Sequence, residues 1–559
     1  MAPRWALAPL AVVLLAATSL GPACRGPAAV PLPRTEDGRP TVRLVLLGNP
    51  AGALEPCGCT KEQLGGIDRL GAQLERERQE ARATVLLGAG AVLFPNALPD
   101  PESAVQQRWK AETIALGLGD LGLAAWAPGG ADFADGPAAL ARYASSAHAK
   151  LLACNLQRPA ELAGSVVHAG AVELGVVGVS EPKLPDGHLP EGVSVRPESE
   201  LAPTVTAELD RLRAQGARVF VALAAMPRGA ALRLAERVPE LHVLAVAEPS
   251  GANELDDEQR SPTLVGSTLV VQTANHLQTA VVVDIYLHAP AFAGDLHAPH
   301  APADSEPIRL ADTGGIAQAE QIAVLSRRIR QLETRVADWL AGGRAPPEEL
   351  AARRAELEKL RRERSELERR VPPPSETDGV RYAVREIRES AGSDPRVAAR
   401  MQAYYQRVNE HNRAAFADRR PPPVGAGEAS YVGQDGCSTP ECHQAARKFC
   451  DTTPHARTYD SLVKGFKQYN LECVGCHVTG YGRRGGSTVT FNQALRGVQC
   501  EECHGPGSLH VARPNEKGLV LLKTPPELCA ERCHHPPHVT GFDAAAKMEL
   551  VLGPGHGAR

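Results

Sequence analysis

Four cysteine pairs near the C-terminus, each followed directly by a histidine, constrain this chain more than any other feature. The chain has 559 residues and thirteen cysteines, and eight of those cysteines form the four pairs. Two motifs, CVGCH (residues 473–477) and CEECH (500–504), have two residues between their cysteines. CSTPECH (437–443) has four intervening residues and CAERCH (529–534) has three. A histidine kept in all four motifs is not a chance arrangement.

The C-x-x-C-H pattern in an exported protein is the signature of covalent c-type haem attachment. Two thiols form thioether bonds with the porphyrin, and the adjacent histidine lies against the iron as an axial ligand. Zinc sites need no histidine at that position. We therefore predict up to four haem c groups and interpret the wider motifs as variants of the same site. The predicted attachment cysteines are Cys437, Cys442, Cys473, Cys476, Cys500, Cys503, Cys529 and Cys533, and the predicted ligands beside them are His443, His477, His504 and His534.

Four haems need up to four further axial ligands, and histidines crowded among haem sites are candidates for them. We predict His455, His510 and His538, with His535 as an alternative to His538. The alternative for each is a solvated surface histidine. His411 and His556 are weaker candidates for a fourth ligand, so one iron could be five-coordinate.

The N-terminus has the proportions of a secretory signal peptide. One arginine precedes an apolar run from Trp5 to Leu20 that is interrupted by Pro9. The stretch LGPAC could end in a lipidated Cys24 that anchors the chain to a membrane, although the usual leucine stands one place too early. Export places the chain in the periplasm or on the outer face of the cell envelope, where the compartment is oxidising.

A net charge of −4 without a basic block argues against nucleic-acid binding.

The rest of the chain predicts a multidomain protein. Short apolar runs alternate with amphipathic stretches from Thr41 to about His288, which predicts a layered α/β domain. Two charged helices with leucines spaced by threes and fours follow, and they predict a hairpin. The predicted segments are a signal peptide (1–24), a linker (25–40), the α/β domain (41–290), a linker (291–316), an antiparallel helical hairpin (317–371), a connector (372–430), a mostly α multihaem domain (431–545) and a tail (546–559).

The cysteine-rich stretch, with GQDGCSTPECH, CVGCHVTGYG and VQCEECHGPGSLHV, resembles the tetrahaem cytochrome c family of the cytochrome c-554 type over about residues 430–545. The resemblance implies a small, mostly helical domain with stacked haems, electron transfer, and His455 and His510 as distal ligands. The sequence departs from the family in its wider first and fourth motifs and in an extra thiol, Cys450.

The stretch LEPCGCTKEQLGGIDRL (54–70) resembles a bacterial branch of the calcineurin-like metallophosphoesterases related to 5′-nucleotidases, over about residues 41–290. Such an enzyme holds two metal ions with Asp, His and Asn side chains at strand ends. Here Asn49 and Ala51 follow the first strand, Gly88 and Ala91 accompany the second, and PGGADF stands where Gly-Asn-His is expected. We therefore predict a metallophosphoesterase-like α/β domain without the metal ligands or the catalysis.

The leading hypothesis is an extracytoplasmic cytochrome that exchanges electrons with redox partner proteins or quinone-linked donors, while the α/β domain docks a partner. A haem oxidoreductase acting on a small nitrogen or sulfur compound at a five-coordinate haem is the first alternative. An active metallophosphoesterase with a cytochrome tail and a structural zinc module are the others. No role follows from the sequence for Cys57, Cys59 or Cys154.

Overall fold

The computed structural model describes residues 38–56, 64–158, 162–184, 186–249, 259–287, 308–342, 346–370, 378–535, 539, 542–548 and 550–553. The strands are β1 (Val42–Gly48), β2 (Thr84–Gly90), β3 (Leu123–Pro128), β4 (Lys150–Leu151), β5 (Leu156–Arg158), β6 (Ser165–Ala169), β7 (Val172–Ser180), β8 (Ser194–Val195), β9 (Val219–Ala225), β10 (Val243–Ala247), β11 (Thr263–Val265), β12 (Thr268–Gln272), β13 (Thr279–Tyr286), β14 (Ala311–Asp312) and β15 (Gly379–Glu386).

The helices are α1 (Ile67–Gln79), α2 (Ala104–Asp120), α3 (Pro137–Ser146), α4 (Glu198–Ala214), α5 (Arg228–Arg237), α6 (Gly315–Gly342), α7 (Pro347–Arg369), α8 (Pro395–Ala415), α9 (Gln434–Cys437), α10 (Gln444–Cys450), α11 (Thr458–Lys464), α12 (Cys500–His504), α13 (Ser508–Ala512), α14 (Glu527–Arg532) and α15 (Ala544–Met548). Among the described residues, no helix is both long enough and apolar enough to cross a membrane.

Two β-sheets pack face to face at the centre of the N-terminal part. Within the described residues, one sheet has the order β14-β15-β13-β1-β2-β3-β4 and the other has the order β11-β12-β10-β9-β7-β6. Apolar side chains of both sheets form the core between them. Helices α1, α2, α3 and α8 cover the outer face of the first sheet, and α4 and α5 cover that of the second. Central strands such as β1 are buried on both faces and are therefore almost continuously apolar. The predicted layered α/β fold is confirmed.

The sheet extends beyond the predicted boundary at residue 290. Strand β15, within the predicted connector 372–430, pairs antiparallel with β13 along its whole length, and β14 pairs with β15. Helix α8 begins with an Asp394 side chain that accepts hydrogen bonds from the backbone N–H groups of Arg396 and Val397. Its apolar face then packs on α1 and α2. The connector prediction is corrected here, because pairing with β13 and burial of α8 make these residues part of the sheet and its cover. We call the described residues within 38–287 and 378–416 the α/β unit.

Helices α6 and α7 form the predicted hairpin. Ile329, Leu332 and Val336 of the first helix pack against Leu357 and Leu360 of the second. Ion pairs cross between the helices, with 2.7 Å between the Arg361 and Glu333 side chains and 2.9 Å between those of Arg328 and Glu356. The break between the helices, residues 343–345, lies outside the described residues.

The C-terminal part consists of short helices and turns. We call the described residues within 431–548 the cysteine-rich region. One apolar cluster there joins Tyr459, Val474, Val478 and Val489. A core of this size contributes little hydrophobic stabilisation compared with the two-sheet core, so this region depends on other interactions to fold.

A buried ion cluster joins the first sheet to helix α1. Arg43, which is 4% exposed, contacts both carboxylate oxygens of Asp284 at 2.6 and 2.9 Å. Its Nη1 atom lies 2.6 Å from the Glu77 carboxylate, which also accepts a hydrogen bond of 2.8 Å from Arg385. The cluster therefore connects β1, β13, β15 and α1.

We expect Arg43→Met to destabilise the α/β unit by about 3–5 kcal/mol, because it leaves the buried carboxylate of Asp284 without its counter-charge and removes one of the two arginines that pair with Glu77. Arg213→Met is the control, because Arg213 pairs with Asp210 in the solvent-exposed part of α4, and its loss should cost less than about 1 kcal/mol. Chemical denaturation followed by circular dichroism measures both. Equal losses for the two variants would contradict the role of the buried cluster.

Candidate functional site

Each cysteine motif lies on a short helix or turn. The first begins at the end of α9 and ends just before α10, and the second lies on the 3-10 turn Val474–His477. The third is α12 itself, and the fourth begins on α14. A single helical turn places the second cysteine and the next histidine on the same side as the first cysteine.

The wider motifs are closed by a local hydrogen bond. The backbone N–H of His443 donates to the carbonyl of Cys437 at 3.3 Å, and that of His534 donates to Cys529 at 2.9 Å. The extra residues therefore form a turn that returns the histidine to the first cysteine. The odd spacings thus keep the backbone of the histidine next to that of the first cysteine.

Two of the motif histidines face a second histidine. The ring centroids of His443 and His510 are 6.3 Å apart, and those of His455 and His534 are 6.2 Å apart. An imidazole nitrogen lies about 2 Å from a bound metal ion, so two imidazoles on opposite sides of one ion have centroids about 6 Å apart. Both pairs have the separation that an iron held between two histidines requires. The residues therefore fit the predicted group.

The other two motif histidines are oriented by backbone carbonyls. Nδ1 of His477 lies 2.7 Å from the Thr458 carbonyl, and Nδ1 of His504 lies 2.6 Å from that of Leu521. A proton on Nδ1 donates each of these hydrogen bonds, which places the lone pair of the ring on Nε2, the nitrogen that would bind a metal. Burial lowers the pKa of His455, His477 and His534, which favours the neutral imidazole that can act as a ligand.

The four motifs form one connected cluster. Burial raises the pKa of the Cys437 thiol to about 12, and the nearby Glu501, Cys500 and Cys442 contribute to this rise. Because Glu501 and Cys500 belong to the third motif, the first motif adjoins the third. Burial raises the pKa of the Cys503 thiol to about 11, and the nearby Cys529 is the next strongest cause. The fourth motif therefore lies beside the third. The Cys476 thiol of the second motif lies 3.7 Å from the Arg532 carbonyl of the fourth. The third motif therefore adjoins the first and the fourth, and the fourth adjoins the second.

Two glutamates inside the third motif hold this cluster together. The Glu501 carboxylate is 2% exposed and accepts backbone hydrogen bonds from Val432, Gly433 and Gly507 at 2.7–3.1 Å. These residues lead into α9, with the first motif, and α13, with His510. Glu502 accepts from the Gly480 N–H at 2.7 Å and from Arg532 at 2.9 Å. Neither glutamate is predictable from the motif, which specifies only the cysteines and the histidine.

Several other candidates lie elsewhere. His411 belongs to α8, where its ring packs against Trp109 with centroids 4.9 Å apart. Cys154 belongs to the α/β unit, where burial raises the pKa of its thiol to about 12. Burial also raises the pKa of Cys450, which lies at the end of α10. Cys24, Cys57, Cys59, His538 and His556 lie outside the described residues.

The strand ends of the α/β unit are closely packed. Asn49, which is 4% exposed, accepts a hydrogen bond from the Ala91 N–H at 3.0 Å and donates one to the Glu248 carbonyl at 2.5 Å. A Cβ atom added to Gly90 would lie 1.9 Å from Asn49 Oδ1 and 2.7 Å from the Ala247 Cβ atom. In the part of the chain that the structure describes, no group of three or more His, Cys, Asp or Glu side chains is arranged to hold a metal ion.

Asp132 connects the loops after β2 and β3. Its carboxylate accepts backbone hydrogen bonds from Val92 and Leu93, both at 2.8 Å, and from Gly129 at 3.2 Å. The side chain is completely buried, and burial raises its pKa to about 7 despite these hydrogen bonds. The Asp132 carboxyl group therefore holds the two loops together, and its burial makes its ionisation unfavourable.

Because the folded-state pKa of Asp132 is raised, its contribution to stability is largest below its ordinary pKa and is lost as the pH rises to about 7. We expect the unfolding free energy of the native protein, relative to Asp132→Asn, to fall between pH 4 and pH 7 by up to about 1.4 kcal/mol per pH unit. Denaturant titrations of both proteins at several pH values measure this difference. A difference independent of pH would contradict the assignment.

Comparison with solved structures relates this chain to phosphoesterase-type proteins at low similarity. It is 21% identical to a 5′-nucleotidase precursor from Thermus thermophilus, with a TM-score of 0.36, over 45% of this chain and 52% of that one. It is 16% identical to the calcineurin-like phosphoesterase YfkN from Bacillus subtilis, with a TM-score of 0.35, over 44% of this chain and 84% of that one.

The cysteine-rich region has a curated relative. Cytochrome c-554 of Nitrosomonas europaea is 36% identical over an alignment of 98 residues, and the match covers 15% of this chain. The chain spans only 41% of the length of that relative. Residues 437–505, which contain the first three motifs, match the family model described as cytochrome c554 and c-prime. The predicted resemblance to the cytochrome c554 family is therefore confirmed over this part of the chain.

Proposed function

We propose that this chain is an exported multihaem c-type cytochrome that transfers electrons through up to four haem c groups bound to the cysteine-rich region. One observation carries the proposal, namely the two histidine pairs at 6.3 and 6.2 Å beside the first and fourth cysteine motifs. The family match over residues 437–505 supports the same chemistry.

The cysteines and the histidines of each motif would have separate roles. Each cysteine pair would hold one haem by thioether bonds, and the following histidine would bind its iron from one side. His510 would be the second ligand of the iron that His443 binds, and His455 would be the second ligand of the iron that His534 binds. When bound, the group supplies an iron centre that gains and loses one electron. The protein would hold the imidazoles in place and keep neighbouring motifs close.

The order of the motifs supports transfer rather than isolated redox centres. The first motif adjoins the third, the third adjoins the fourth, and the fourth adjoins the second. Electrons entering at either end would therefore have a neighbouring site at each step. The small apolar core of this region also supports bound groups, which would add the buried surface that its side chains do not provide.

His477 favours a second candidate function. Among the described residues, no other histidine ring faces that of His477. An iron bound by His477 alone would have one open position, where a small nitrogen or sulfur compound could bind and react. A haem oxidoreductase at the second motif is therefore the alternative to a pure electron carrier.

The α/β unit fits a docking role better than phosphate-ester hydrolysis. The hydrogen bond from Ala91 to Asn49, and the close approach of Asn49 and Ala247 to Gly90, support this proposal, because they fill the strand ends where metal ligands are expected. Its partners would be redox proteins or quinone-linked donors outside the cytoplasm. Export rests on the signal-like residues 1–24, and lipidation of Cys24 would anchor the chain to a membrane.

We expect His510→Ala and His455→Ala each to convert one low-spin haem iron to the high-spin state, and the double variant to convert two, because each change removes one axial ligand. Electron paramagnetic resonance and absorption spectra of the oxidised protein measure the spin states. His411→Ala is the control, since its ring packs against Trp109, and it should leave them unchanged. Unchanged spectra for both single variants would contradict the ligand assignment.

A further inference from the structure

The segment that leads into the second motif is fixed on the α/β unit. Gln106 of α2 donates to Asn470 Oδ1 at 3.1 Å and accepts from the Leu471 N–H at 3.1 Å. Asn412 of α8 donates to Gln106 at 3.0 Å and to the Tyr469 carbonyl at 2.9 Å. Gln106, Asn412 and Asn470 are at most 2% exposed. These hydrogen bonds hold the residues just before Cys473 against the two helices.

Two ion pairs of opposite polarity cross the same interface. The Lys110 ammonium of α2 lies 3.0 Å from both carboxylate oxygens of Glu472. Glu55, which follows β1, pairs with Lys467 and also accepts a hydrogen bond of 3.0 Å from the Tyr405 hydroxyl. The α/β unit therefore contributes one positive and one negative charge, and the cysteine-rich region contributes their counter-charges. The side chains are 12–30% exposed, so water screens them only partly.

These charges act on the second attachment site. Burial raises the pKa of the Cys473 thiol to about 12, and the charges that influence it most are those of Glu472, Lys467, Glu55 and Lys110. Reduction of a haem adds one negative charge at its iron. A nearby positive charge therefore favours reduction, a nearby negative charge opposes it, and both effects are stronger in a partly buried site.

We propose that the α/β unit sets the reduction potential of the haem attached at Cys473 and Cys476, through the positive charge of Lys110 and the negative charge of Glu55. This inference rests on the proposed haem function. It gives the α/β unit a role that needs no metal of its own, because its charges and its burial of the interface act on the neighbouring redox centre.

The test compares two changes to glutamine that remove charges of opposite sign. Lys110→Gln removes a positive charge and should lower the potential of this haem, whereas Glu55→Gln removes a negative charge and should raise it. Glutamine can still hydrogen-bond at both positions, so the interface is retained. Spectroelectrochemical titration of the full haem-loaded chain measures the potentials. The Cys473→Ser, Cys476→Ser double variant identifies the contribution of this haem by its loss.

Matched controls separate this effect from a general change of charge. Arg108→Gln and Glu112→Gln lie on α2 beside Lys110, but their partners are Asp135 and Arg407 of the α/β unit, so both should leave the potential unchanged. Lys110→Arg keeps the charge and should retain the native potential. Shifts in the same direction for Lys110→Gln and Glu55→Gln, or shifts no larger than those of the controls, would overturn the inference. A chain without covalent haem would instead contradict the proposed function.

Discussion

The C-terminal part of this structure depends on the separation between the rings of two histidine pairs. The pairs His443–His510 and His455–His534 join residues that are far apart in the chain, and each spans the distance that one metal ion between two rings requires. Glu501 and Glu502 maintain this arrangement, because they connect the third motif to the other three through backbone and arginine hydrogen bonds. A region with a small apolar core thus keeps two pairs of histidine rings at a defined separation.

The α/β unit is joined to this region by a polar interface rather than a flexible tether. Its own core is the two-sheet layer, and the Arg43 cluster fixes the sheet to its covering helix. Helices α2 and α8 then present Gln106, Lys110 and Asn412 to the segment before the second motif. Just after β1, the Asn49 side chain hydrogen-bonds to the backbone of Ala91 and Glu248. The proposed division of labour assigns redox chemistry to one part and electrostatic control to the other.

Local patterns in the sequence predict the layered sheet, the helical hairpin and the positions of the four motifs. Strand β1 is a buried apolar run, and each motif carries its histidine at a fixed offset. Long-range relations were not predictable in the same way. Strand β15 is a short alternating segment whose partner β13 lies about ninety residues away, and Lys110 is 362 residues from Glu472. The hydrogen bonds that close the wider motifs also depend on a turn that the spacing alone does not specify.

Covalent haem content tests the central claim most directly. The full chain would be produced in a host with a cytochrome c maturation system, and its haem would be counted by the pyridine haemochrome assay and by intact mass. The account predicts a red protein that carries four covalently bound haems, each lost when both cysteines of its motif are replaced by serine. A colourless protein with the mass of the unmodified polypeptide would contradict it.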